Sequence, residues 1–268
     1  MTTSLPRPKI VFFDIDDTLY IKDENRVPSS IASALTALKD TGTLVAIASG
    51  RSIGVIPPVV KDLIDNIGID LLLTINGGYN LYQGKPFLDF PLCREKVESI
   101  TAKLAADGIG YACMTHDTIF AMSNTDELRT ALASLHIPYQ FIDRDQFDFG
   151  QSVYQILAFY AEGTYTPTLP PNTKTVRWHE CAVDILDQDG SKARAIRAVL
   201  DKLGIDPQDS CAFGDGLNDI EMLKLVGTAI AMGNAHEQLK AHADIICARH
   251  DEDGIAKILA QLGWIAPA

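Results

Sequence analysis

The sequence predicts an α/β protein, a doubly wound parallel sheet with an α+β domain inserted into it. Three observations carry that prediction. Short apolar runs near both ends of the chain stop abruptly in polar residues, one-sided amphipathic segments separate those runs, and the middle of the chain has a different texture.

The first run, Ile10-Val11-Phe12-Phe13, is β-branched and aromatic with no helical spacing, so it reads as a buried parallel strand. It ends in Asp14-Ile15-Asp16-Asp17-Thr18-Leu19, at the carboxyl end where ligands of such sheets bind. Three carboxylates within four positions repel one another unless a cation or protons intervene. Aspartates also close ordinary turns. A calcium loop of the EF-hand kind would need a central glycine and a late glutamate at fixed offsets, which are missing.

Pro28 can open a helix whose Ile31, Leu35 and Leu38 share a face, and Gly42 can end it. Leu44-Val45-Ala46-Ile47-Ala48 is a second strand, ending in Ser49-Gly50-Arg51. Pro57 and Pro58 introduce a helix through Val60, Leu63 and Ile64, and a third strand over residues 71–75 ends in Asn76-Gly77-Gly78. This alternation implies right-handed crossovers and a parallel sheet.

From about residue 81 to about residue 186 the chain turns to short mixed segments, with helices expected over 95–106 and 125–135. Alternating stretches at 153–159, 175–178 and 182–186 read as strands of an open-faced sheet. The expected division is therefore a core over 1–83, an α+β cap domain over 84–186 and the rest of the core over 187–268. Two connections, near Gln83-Gly84 and Asp187-Gly190, would form a hinge and make the insertion a mobile cap.

The α/β rhythm then returns. Ser191 can cap a helix that buries Ala195, Ile196, Val199, Leu200 and Leu203 and stops at Gly204. Cys211-Ala212-Phe213 runs into Gly214-Asp215-Gly216-Leu217-Asn218-Asp219, a stretch that reads equally as an Asx-rich turn or as a metal loop. Strand-like pieces at 228–232 and 245–248 and a closing helix over 254–262 complete the pattern.

Composition narrows the function classes. A 268-residue chain with 47% hydrophobic residues can bury a large core. Its formal charge of -12 repels nucleic-acid phosphates and anionic membranes, so neither is an expected partner. No apolar stretch is long enough for a bilayer and the first residues lack the apolar core of a signal peptide, which points to the cytoplasm. Five scattered cysteines suit neither a disulfide framework nor a zinc site and read as reduced.

Asp14, Asp16, Ser49, Lys192, Asp215 and Asp219 thus converge on one sheet edge from four segments. Carboxylates without zinc-type ligands, beside Ser, Thr and Lys, suit a hard Mg²⁺ ion shared with a phosphate. Phosphoryl transfer needs an in-line nucleophile, charge stabilisation and an acid for the leaving oxygen. A carboxylate can attack phosphorus, Asp16 is placed to serve as acid and then base, Ser49 can donate to a phosphoryl oxygen, and Lys192 brings positive charge to it.

With Asp14-Ile15-Asp16-Asp17-Thr18, Ser49-Gly50-Arg51, Ser191-Lys192 and Gly214-Asp215-Gly216-Leu217-Asn218-Asp219 in this order, the chain resembles the Cof-type phosphatases of the haloacid dehalogenase superfamily. The resemblance implies a Rossmann-like core with the larger α/β cap, Asp14 as nucleophile and Asp16 as general acid and base. It also implies Mg²⁺ held by Asp14, the Asp16 main-chain carbonyl and Asp215, with Asn218 and Asp219 orienting the phosphate and a metal-bound water.

The candidate metal residues are accordingly Asp14, Asp16, Asp215 and Asp219, and the candidate phosphate- or substrate-binding residues are Thr18, Ser49, Gly50, Arg51, Lys192 and Asn218. Arg51 has two readings, a substrate contact or a partner for a cap carboxylate. Asn76 and Asn234 lie in stretches similar to the family's. His116, Asp117, Arg144, Trp178 and His179 are the cap side chains best suited to read a leaving group, and a surface or core role fits any one of them as well. The expected activity is hydrolysis of a small phosphomonoester, a sugar phosphate or phosphorylated cofactor, by a monomer or homodimer. The alternatives are a sugar phosphomutase and a non-catalytic metabolite-binding protein.

Overall fold

The computed structural model describes residues 5–267. In chain order its strands are β1 (Ile10–Phe13), β2 (Leu44–Ala48), β3 (Leu71–Thr74), β4 (Tyr79–Tyr82), β5 (Lys85–Asp89), β6 (Gly110–Met114), β7 (Ile119–Ala121) and β8 (Gln140–Phe141). They continue with β9 (Gln155–Phe159), β10 (Thr173–His179), β11 (Ala182–Asp187), β12 (Ser210–Gly214), β13 (Thr228–Ala231) and β14 (Ile245–Ile246). The helices are α1 (Ser29–Asp40), α2 (Pro58–Ile67), α3 (Arg94–Ala106), α4 (Asp126–Ser134), α5 (Lys192–Leu203), α6 (Ile220–Leu225), α7 (Glu237–Lys240) and α8 (Gly254–Gln261).

Among the described residues the chain forms two units. One holds everything up to Gly50, then Pro57–Leu88, then everything from Ser191; the other holds Arg51–Ile56 and Asp89–Gly190. The first contains an eight-stranded sheet in the order β14-β13-β12-β1-β2-β3-β4-β5. The pairs from β14 through β3 are parallel and β4 runs antiparallel to β3. Every residue of β1 is buried, as expected for a central strand covered on both faces. The chain leaves β1 toward β2 on one side while β12 lies on the other, so the carboxyl ends of β1 and β12 form a topological switch point. Phe13 stands opposite Phe213 in this pair, and their rings stack with centroids 4.9 Å apart, which fixes the register of the two strands.

The helices follow their sequence signals. Pro58 opens α2 and Gly68, at φ 69°, closes it. Ser191 caps α5 by accepting from the Arg194 amide, and Gly204 ends that helix in the left-handed conformation.

The second unit is built on a six-stranded sheet in the order β10-β11-β9-β6-β7-β8. Its central pairs are antiparallel, with β7 and β8 parallel at one edge. Val97, Ile100 and Leu104 of α3 pack with Tyr111, Cys113, Ile156, Ala158, Val183 and Ile185 of the sheet to form its core. Thr125 is the N-cap of α4, accepting from the Leu128 amide.

The unit boundaries differ from the expected 83/84 and 186/187. They fall after Leu88 and Gly190, because β4 pairs with β3 and carries the hairpin to β5 into the core sheet. The segment 51–56 also groups with the inserted unit. The Ile53 amide donates to the His116 carbonyl at 3.2 Å, and Gly54 lies so close to Asp117 that a Cβ would stand 1.7 Å from its carbonyl oxygen. The chain therefore passes between the units four times, at 50/51, 56/57, 88/89 and 190/191, in place of the two passages expected.

Candidate active site

The switch point brings together three carboxylates and one lysine. Asp14 follows β1 directly, its amide still donating to the Phe213 carbonyl at 3.1 Å, so the strand ladder sets its position. Carboxylate oxygens of Asp14, Asp215 and Asp219 all lie within 4.8 Å of one another. The Lys192 ammonium donates to Asp14 Oδ1 at 2.6 Å and to Asp219 Oδ1 at 2.6 Å, and its side chain is 0% exposed.

Lys192 is the first residue of α5, where a cation opposes the helix dipole. Its position is therefore set by the carboxylates and not by the helix. Burial disfavours its charge, but Asp14 and Asp219 outweigh burial and hold the ammonium pKa above its ordinary value.

The other oxygen of Asp219 accepts from the Asp215 and Gly216 amides, both at 3.0 Å. Asp219 thus ties the loop after β12 to Lys192. The fit is close at Gly214, where a Cβ would lie 2.6 Å from the Asp219 carboxyl carbon. Asp215, on the same loop, accepts from the Thr18 hydroxyl at 3.3 Å, and Thr18 is buried.

One cation does not balance this cluster. Burial first, then the charges of Asp219 and Asp16, push the Asp14 carboxyl up to about 7 despite Lys192. Burial, then Asp14, Asp219 and Asp17, raise Asp215 well above the usual carboxylate range. The residual negative charge sits among oxygen donors only.

Asp16 is half-buried and its main chain bridges to Tyr20. Asp17 turns the chain at φ 53°, and its carbonyl accepts from Asn234 Nδ2 at 2.8 Å while the His250 amide donates to Asn234 Oδ1 at 3.0 Å. Lys22 pairs with Asp17 at 2.8 Å. Ser49 is fully buried at the end of β2, and the Gly50 backbone lies beside the side-chain amides of Asn76 and Asn218. Sequence reasoning noticed the stretches around Asn76 and Asn234 without a reason for either residue. It did not single out Lys22, whose signal would have been a lysine shortly after an acidic loop.

Arg51 belongs to the inserted unit. It is 3% exposed, and its two terminal nitrogens donate to the Val55 and Leu135 carbonyls, each at 2.9 Å. Those bonds tie the segment after Gly50 to the end of α4. The other candidates of the inserted unit are spread over separate elements. His116 lies 3.7 Å from Asp117 on a half-exposed loop, Arg144 lies over the Phe149 ring, and His179 accepts from the Cys181 amide beside Trp178.

Comparison with known proteins agrees with this geometry. The model of the haloacid dehalogenase-like hydrolases matches residues 11–259. YkrA from Bacillus subtilis (strain 168), provisionally named a phosphatase, is 36% identical over 96% of this chain and 98% of its own length. YwtE from the same organism, a 5-amino-6-(5-phospho-D-ribitylamino)uracil phosphatase, is 26% identical over 95% of this chain and 98% of its own. The solved structure of BT4131, a subclass IIB sugar phosphatase, is 29% identical with a TM-score of 0.86, covering 96% of this chain and all of that one (100%). An acidic cluster at the switch point of a parallel sheet, an inserted α+β domain and a family match spanning nearly the whole chain lead to one conclusion: the protein belongs to the haloacid dehalogenase-like hydrolases and is a phosphatase of the Cof type.

Proposed function

We propose that the enzyme hydrolyses a small phosphomonoester in a Mg²⁺-dependent reaction that passes through an aspartyl-phosphate on Asp14. The observation that carries this reading is the buried Lys192 ammonium joined to Asp14 and Asp219 within a cluster of three carboxylates.

The donor set fits a hard divalent cation. It consists of oxygens alone, and two of its carboxyls are held above their ordinary range by burial and then by neighbouring negative charge. Asp14, Asp215 and the Asp16 main-chain carbonyl would hold the ion, with Asp219 beside them. When bound, Mg²⁺ would neutralise charge on the phosphoryl oxygens and on the attacking carboxylate.

The chain's own residues account for the remaining chemistry. An Asp14 carboxylate oxygen attacks phosphorus as the bond to the leaving oxygen breaks, and Asp16 delivers a proton to that oxygen. Asp16 then takes a proton from water, whose oxygen attacks the phosphorus of phospho-Asp14, releasing inorganic phosphate and restoring the carboxylate. Lys192 keeps Asp14 ionised and oriented and places positive charge beside the equatorial oxygens, while Ser49 and Asn218 donate to them. Positioning a charged donor in a buried site is worth more than in water, because the surroundings screen it weakly.

A sugar phosphate or a phosphorylated cofactor is the substrate class we favour. BT4131 is a sugar phosphatase and YwtE acts on a phosphorylated ribitylamino-uracil, which supports esters of this size. The test is inorganic phosphate release from a panel of sugar phosphates, nucleotides, flavin and pyridoxal phosphates and ribityl phosphates, with and without Mg²⁺, for wild type and Asp14→Asn. Mg²⁺-dependent release that disappears in the variant is the expected result. Substantial release by Asp14→Asn would remove Asp14 from the role of nucleophile.

A further inference from the structure

The turn after β3 touches three of the four segments that build the site. Ile75, Asn76 and Gly77 take φ of 54°, 49° and 81°, three left-handed residues in succession of which two carry side chains and one is β-branched. That conformation is costly for residues other than glycine and persists only where the surroundings impose it. Ile75 is 0% exposed and Asn76 3%, so the surroundings are protein.

Asn76 and Gly77 between them meet all three of those segments. The Asn76 amide donates to the Ser49 carbonyl at 2.9 Å, and its side-chain Oδ1 accepts from Asn218 Nδ2 at 3.1 Å. A Cβ on Gly50 would stand 3.3 Å from that same Oδ1, so the Asn76 amide lies against the loop that follows β2. Gly77 abuts the start of α5 so closely that a Cβ would lie 2.7 Å from both the Ser191 carbonyl oxygen and the Ala195 Cβ. A glycine at position 76 would take the same backbone without strain. An asparagine at this position adds a buried carboxamide whose Oδ1 is aimed at Asn218.

We infer that Asn76 is a positioning residue of the phosphatase: its carboxamide fixes the rotamer of Asn218, while its backbone sets the Ser49-Gly50 loop against the Asn218 segment. This inference rests on the reading of Ser49 and Asn218 as phosphoryl-binding groups. Asn218 Nδ2 carries two hydrogens, and the bond to Asn76 uses one of them and thereby directs the plane of the other. Without that bond the Asn218 side chain would sample several rotamers, and ordering it would be charged to each binding event.

The test uses Asn76→Gly, which keeps the left-handed backbone and deletes only the amide, alongside Asn218→Ala and the double variant. Steady-state kinetics on the best ester of the panel and calorimetric binding of inorganic phosphate with Mg²⁺ are measured for each, with melting temperatures as the control for folding. Asn76→Gly is expected to melt near wild type and to lose roughly 10–100-fold in kcat/KM, with phosphate binding weakened in parallel, the usual scale for residues that orient a ligand-binding group. The double variant should be no worse than Asn218→Ala alone, since both substitutions remove one interaction. Wild-type kinetics and phosphate affinity in Asn76→Gly would overturn the inference and leave the phosphatase reading intact, as would losses that multiply in the double variant. Phosphate binding that depends on Asn76 in a wild-type protein without turnover would retain the positioning role and overturn the catalytic reading. Absence of both binding and turnover in wild type would overturn both.

Discussion

Replacing Lys192 by methionine removes the single buried cation from a site that holds at least three carboxylates. At an effective dielectric of about 20, each 2.6 Å contact with Asp14 and Asp219 represents on the order of 6 kcal/mol of gross attraction. Most of this offsets the burial of the charges themselves. The orphaned carboxylates can escape the rest of the loss by taking up protons, so the net cost expected is about 3–5 kcal/mol near pH 8, the scale for removing one partner of a buried ion pair. For a domain of this size that corresponds to a melting temperature lower by roughly 6–20 °C. Thermal unfolding of Lys192→Met and wild type in EDTA, at pH 8 and pH 5.5, measures it. The deficit should shrink at the lower pH, where Asp14 is protonated and no longer needs the ammonium. A variant as stable as wild type at pH 8, or a deficit equal at both pH values, would refute the claim that Lys192 compensates the cluster.

Other outcomes follow from the same geometry. Asp14 titrates near 7 in the folded chain and near 3.8 unfolded, so between those values the folded state binds more protons and stability falls as pH rises. Metal-free melting temperature should therefore drop from pH 5.5 to pH 8, Asp14→Asn should flatten that slope and raise stability at pH 8, and Mg²⁺ should stabilise wild type most at pH 8. Gly214→Ala drives a methyl into the Asp219 carboxylate, and we expect a loss of about 1–3 kcal/mol in denaturant melts together with most of the activity. Arg51→Met strips a buried and a part-buried carbonyl of their donor, and the inserted unit should become about 1–3 kcal/mol easier to unfold, seen as faster hydrogen exchange in α4 and residues 51–56.

Much of the core was legible because a buried parallel strand is a short apolar run and its ligand-facing end is where polarity begins. Ile10–Phe13 running into Asp14, and the strand through Phe213 running into Gly214 and Asp215, display that transition directly. The helices around them carry caps and terminal glycines, and their observed ends lie within a residue or two of those read from sequence, as at α5 and α8. The inserted unit was harder to read. β6 and β7 are short and contain no charged or amide residue to alternate with their apolar ones, so neither stands out from its neighbours as a strand. The hairpin of β4 and β5 resembles the insertion in texture yet pairs with the core, because pairing is decided by which edge is open and not by composition. Arg51 and Asn76 show the limit at the level of single residues. Each sits beside a recognisable stretch, but its role depends on a partner 84 residues away for one and 142 for the other, which no local pattern contains.

The passage of residues 51–56 through the inserted unit changes what counts as a transferable module. Specificity in such enzymes invites chimeras in which one protein's insertion is grafted onto another's core. Here a graft limited to 89–190 would leave the recipient's own 51–56 segment facing a foreign α4, with the Leu135 carbonyl and the His116 carbonyl unmatched to their donors. A working exchange has to carry two non-contiguous pieces with four splice points, the first of them immediately after Gly50. The same threading ties inheritance of the insertion to the Ser49-Gly50 loop: the hexapeptide after that loop must co-vary with a domain it precedes by more than thirty residues, so a recombination event between them separates parts that fold together.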